Sequence, residues 1–198
     1  MRAPSRWRRI GPSVAVAGLV VAACSVAESL PLPVCTGDSS ILIVAQSVPT
    51  AEMSLCLGEV DPTVADPSSG RTGNALPSGW ERSTVTIDQG GSVIRLDSDR
   101  AGADAATLHI AETCDIGEAV PVPSDQDGAQ AYEFIERIEP GLRAQRYYVF
   151  AGGCVWWDFD FNNGAPAALA VELQNRLFLF DREFLIESVR ENFLDEEL

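Results

Sequence analysis

Lysine is absent from this chain. All 14 basic residues are Arg, and they face 29 Asp and Glu, a formal charge of −15 over 198 residues. So acidic a chain lacks the positive face that nucleic acid demands, and nucleic acid is excluded as a partner. Histidine occurs once, at His109, which excludes a multi-histidine zinc site. The G-x-S-x-G turn of a nucleophile elbow does not occur. Low hydrophobicity is missing too: 46% of residues are hydrophobic, enough for a globular core and too many for a mainly disordered chain. The only long apolar stretch is N-terminal, which excludes a polytopic helical membrane protein.

What is present begins with an address. Arg2, Arg6, Arg8 and Arg9 form a charged start, and Ile10 to Ala23 form an apolar stretch of fourteen residues. That is short of the ~20 residues a helical span requires and suits an export signal. Val21-Ala22-Ala23-Cys24 follows. This motif resembles the lipobox of bacterial lipoproteins. The resemblance covers residues 1–24 only and implies cleavage before Cys24, with a diacylglycerol on its thiol. Residues 1–23 are then a signal peptide, 24–34 a lipidated tether, and 35–198 a single domain on the extracytoplasmic face of the cell membrane. Ordinary secretion, with a cut after Ala27, is the alternative. Four Arg and no acid precede Cys24, so the mature chain would carry 10 Arg against 29 acids, or −19. An anionic bilayer repels such a surface, so acyl chains must do the anchoring.

Cysteine arithmetic agrees. Five Cys is odd; assigning Cys24 to lipid leaves Cys35, Cys56, Cys114 and Cys154, an even set in an oxidising compartment. Four Cys allow three pairings. The expected one is Cys35–Cys56, closing a short loop, with Cys114–Cys154 tying two strand ends.

Along the domain, the apolar run Ile41 to Ala45 reads as a buried strand, and Met53 to Leu57 as a second strand. Residues 58–79 read as a surface loop rich in Pro, Gly, Ser and Asp. Ser83 to Asp88, Val93 to Asp97 and Thr107 to Thr113 alternate apolar and polar residues and predict a three-stranded meander. Tyr132 to Ile138 fits either a strand or a helix. Arg146 to Phe161 reads as a long strand or a hairpin pivoting at Gly152-Gly153, with Val155, Trp157, Phe159 and Phe161 on one face and Trp156, Asp158 and Asp160 on the other. Leu169, Leu173 and Leu177 recur at helical spacing. Asp181 is placed to cap a last helix with an apolar stripe of Phe184, Leu185, Val189 and Phe193. The expected fold is α+β: an antiparallel meander sheet with C-terminal helices packed on it and two disulfides. The alternative is a β-sandwich with a helical appendix.

No catalytic constellation emerges. His109 reads as a strand histidine turned to the polar face. Asp158, Asp160 and Asn162 begin like a calcium loop, but Asn163 stands where the loop needs Gly and Leu169 where it needs Glu, so an EF-hand is rejected. A cation such as calcium on Asp158 and Asp160, ~7 Å apart along one strand face, is the one cofactor considered, and the same pair is the only hydrolase candidate. The other reading of these acids is charge guarding an edge strand. Seven aromatic residues fall between Tyr147 and Phe161. Among them Trp156, flanked by Asp158, is the candidate platform for a sugar or a cation. Glu183, Glu187 and Glu191 offer an acidic helix face to a basic partner. The sequence therefore points to a non-enzymatic envelope lipoprotein, a binding or accessory module for another envelope protein. The alternative is capture of a small ligand or glycan at Trp156, Asp158 and Asp160.

Overall fold

The computed structural model describes residues 39–58 and 76–183. The elements in order are α1 (Ser39–Ser47), β1 (Met53–Leu57), β2 (Trp80–Asp88), β3 (Gly91–Ser98), β4 (Gly102–Ala111), β5 (Val120–Val122), β6 (Gln130–Arg137), β7 (Arg143–Phe150), β8 (Gly153–Asp160), α2 (Ala168–Gln174) and β9 (Leu177–Asp181). Seven strands form one antiparallel sheet in the order β2-β3-β4-β8-β7-β6-β5, and β1 pairs with β9 in a separate two-stranded sheet. Among the described residues no helix is long and apolar enough to cross a membrane.

The meander is present as β2-β3-β4, each strand paired with the next. The ambiguous segment around Tyr132 is strand β6, and the segment after Arg143 is the hairpin β7–β8. Gly152 sits in its turn at φ 73°, and a Cβ there would collide with the Thr50 carbonyl. The close approach lets Thr50 Oγ1 donate to the Gly152 carbonyl at 3.0 Å and the Glu52 amide to the Ala151 carbonyl at 3.0 Å. The turn is thereby stitched to the start of β1.

Several expectations are corrected. Ile41 to Ala45 belongs to helix α1, not to a strand. A short apolar run cannot be assigned by periodicity alone, and packing against β1, β2 and β3 overrides the β-preference of Ile and Val. Val44, Ala45 and Val48 are buried there. Leu177 is not the third member of a helical stripe: α2 ends at Gln174, and Leu177 opens β9 opposite Leu57. The helices are not gathered at the C-terminal end, since α1 precedes every strand. Strand β8 is not an edge; it lies between β4 and β7, so Asp158 and Asp160 are not guarding an edge. The Asp181 carboxylate does accept the Glu183 amide at 2.8 Å, but the apolar stripe from Phe184 and the acidic face at Glu187 and Glu191 lie outside the described residues.

One face of the large sheet is apolar and covered. Cross-strand rows such as Leu96–Ala106–Phe159–Ala144 and Ser92–Ile110–Val155–Tyr148–Ala131 are all buried. They form a single core with Val44 and Val48 of α1, Leu55 and Leu57 of β1, Leu169 and Leu173 of α2, and Leu177 of β9. Arg residues clamp this layer. Arg182 donates to the Ala45 and Val48 carbonyls at the end of α1, and Arg100 reaches Glu172 of α2 at 2.7 Å. The Gln126 side chain bonds both the Leu177 carbonyl and the Leu179 amide, occupying the β9 edge.

The Cys114–Cys154 disulfide forms as expected. Cys56 is buried in β1 and is not a free thiol; its expected partner, Cys35, lies outside the described residues. Closing a loop of 40 residues restricts the unfolded chain, so replacing both Cys114 and Cys154 by Ala should cost about 2–4 kcal/mol. Urea denaturation of the two proteins measures this, and equal midpoints would show that the bridge adds nothing.

Candidate functional site

The opposite face of the large sheet carries the polar members of each alternating strand. Two rows cross it. One runs Thr86, Val93, His109, Trp156, Tyr147, Tyr132; the next runs Thr84, Arg95, Thr107, Asp158, Gln145, Phe134. None of the described helices or strands lies over this face; all of them contribute to the core on the other side. The Cys114–Cys154 bridge pins the segment after β4 to one end of it.

The centre of the face is an ordered stack. His109 and Trp156 lie parallel, with ring centroids 4.5 Å apart and planes within 2°. Tyr147 stacks on the other side of Trp156 at 6.3 Å and 22°. Direct cross-strand neighbours stand side by side, so the three rings line up as β4, β8 and β7 line up. This placement corrects the expectation for Trp156. Its side chain does point to the polar face beside Asp158, but both faces of the indole are occupied by protein rings. It has no free platform for a sugar.

A hydrogen-bond chain runs beneath the stack. Tyr147 Oη donates to Gln145 Oε1 at 2.8 Å, Gln145 Nε2 donates to Asp158 Oδ1 at 2.5 Å, and His109 Nε2 stands 3.0 Å from Asp158 Oδ2. Burial pushes the Asp158 pKa up, but bonds from His109 and Gln145, charge on His109 and a bond from Trp156 outweigh it, so the carboxyl titrates below its usual range. Tyr147 is raised, first by burial and then by the negative charges of Asp158 and Asp115. A histidine held by a carboxylate has the form of a general base and its orienting group, yet among the described residues no Ser or Cys is hydrogen-bonded to His109.

Asp160 and Asp158 have different partners. Asp160 is held by Arg143, whose Nη2 and Nε lie 2.8 Å and 3.3 Å from its carboxylate oxygens, and Arg143 also reaches Glu136 at 3.6 Å. Among the described residues no group of three or more His, Cys, Asp or Glu is placed to hold a metal ion. Beside these pairs is a depression of about 280 Å³, lined by Phe134, Glu136, Arg143, Gln145, Asp158 and Asp160. Gln145, Arg143 and Phe134 were not singled out from sequence. Their signal is parity on neighbouring strands, which becomes readable only once the register is known. Cys24, the expected lipidation site, lies outside the described residues. No protein-family model, curated protein or solved structure matches the chain.

A carboxyl with a depressed folded pKa stabilises above its unfolded pKa of about 3.9, and that contribution disappears as pH falls through the folded value. Asp158→Asn should therefore lower stability near neutral pH, and its deficit should shrink on acidification below about pH 4. Denaturation of both proteins across that range measures it. A gap that persists unchanged through the acid range would mean the carboxylate charge is not what matters.

Proposed function

We propose that this protein is an envelope lipoprotein, held on the extracytoplasmic face of the cell membrane by acyl chains on Cys24, and that its domain is a non-enzymatic binding module for another envelope protein. The observation that carries the module reading is the division of labour in the large sheet. One face is packed into the core. The other carries aromatic and polar side chains fixed by stacking and hydrogen bonds, with Tyr147 buried and His109, Trp156 and Asp158 partly exposed. A site organised on strands with its side chains already ordered loses little entropy on binding.

The lipobox-like start of the chain supports the anchor. Cys24→Ala should move the protein from the membrane fraction to the soluble fraction. Retention in the membrane with the signal uncleaved would refute lipid anchoring.

The docking face is tested separately. A photo-crosslinking side chain at Thr86 or Tyr132, on the open face, should capture one defined envelope protein in cells. The same probe at Val171, which is exposed on α2, should not. Equal capture from both positions, or none from either, refutes docking through this face.

A further inference from the structure

We infer that the depression beside Phe134 is a saccharide subsite that takes one neutral sugar ring. This rests on the open face being the binding face, and goes further by naming the chemistry it holds.

The aromatic surface comes from Phe134, not Trp156. Phe134 lies on β6 directly opposite Gln145 and is half-buried at the wall of the depression. Trp156 is closed on both sides by His109 and Tyr147. An aromatic ring offers an electron-rich face to the slightly positive C–H groups of a sugar ring.

Directional polar groups surround that ring. Arg143 has five N–H donors, and its contacts with Asp160 and Glu136 leave donors to spare. Asp158 accepts from His109, Gln145 and Trp156 and keeps an acceptor position to spare, since a carboxylate has about four. Adjacent sugar hydroxyls both donate and accept, so they can bridge a guanidinium and a carboxylate at once. These groups are already held by one another, so binding does not have to order them.

Charge and size narrow the class. Three carboxylates, Glu136, Asp158 and Asp160, face one guanidinium here, on a chain of charge −15. Sugars bearing carboxylate or phosphate are repelled. An ammonium at Asp160 or Glu136 would have to displace Arg143, which already pairs with both. A volume of about 280 Å³ sits at the small end of ligand pockets, which fits one ring with the rest of a chain left in solvent.

The test uses maltotriose and triacetylchitotriose as neutral probes and sialyllactose as an anionic one, followed by NMR on the full mature protein. Both saturation transfer to the sugar and shifts of the protein amides are read. At least one neutral trisaccharide should bind, moving the Gln145 and Asp158 amides, and sialyllactose should not. Phe134→Ala and Asp160→Asn should each weaken binding about tenfold or more, whereas Phe134→Trp should retain it. Asp160 is exposed, so Asp160→Asn serves if Phe134→Ala fails to fold. The inference is overturned if neither neutral probe binds at ~10 mM, if sialyllactose binds as well, or if binding survives both variants. Sugar failure with face-specific crosslinking intact removes the subsite alone; failure of both removes the open face as a binding surface.

Discussion

Strand β8 is the constraint on which the rest of the molecule depends. It lies in the middle of the seven-stranded sheet, so both of its edges are paired and its alternation decides both faces. Val155, Trp157 and Phe159 are buried on one side. Trp156, Asp158 and Asp160 stand on the other. A slip of one residue would exchange the two sets, placing two carboxylates in the core, where an unpaired charge is very costly. The alternation of this one segment therefore excludes a slip of one residue in its register with β4 and β7. That register in turn brings His109, Gln145 and Tyr147 to the polar side.

Among the described residues, the polar face is ordered by its own contacts. Three stacked rings hold one another in position, and Gln145 links the Tyr147 hydroxyl to the Asp158 carboxylate with its amide oxygen and nitrogen. Side chains with a partner on each side lose their rotamer freedom during folding, not at the moment of binding. The same contacts that order Trp156 also remove it as a stacking surface. The available aromatic ring shifts by two strands, to Phe134.

The sequence made much of this legible, and the reason differs from element to element. The β2–β3–β4 meander and the faces of β8 could be read because each strand has one buried side, which produces period-two alternation. Cys114–Cys154 could be read because parity and spacing left few choices. The helix at Ile41 could not, because an apolar run without alternation is compatible with either a buried strand or a buried helix. Strand β9 could not, because Leu177 continues a leucine spacing that α2 abandons at Gln174. The site itself was half legible. Trp156 and Asp158 were identified on their own strand, but their partners lie on β4, β6 and β7, and cross-strand neighbours are set by a register that no local pattern specifies.

The distribution of arginine bears on what the open face can bind. Arg100 ties the β3–β4 turn to α2, Arg182 bonds the carbonyls ending α1, and Arg137 bonds the Gly141 carbonyl. Arg143 holds Asp160. Arg146 stacks over Tyr148 and reaches Asp125, and Arg82 and Arg176 are engaged as well. Among the described residues, positive charge is thus largely engaged in contacts within the fold, and much of the acid faces solvent. Such a surface stays soluble and is repelled by anionic polymers and anionic bilayers. Long-range attraction cannot then be the general means of recognition for anionic or neutral partners. Contact must rest on short-range shape, stacking and hydrogen bonding, and the ordered centre of this face is where the described residues concentrate them.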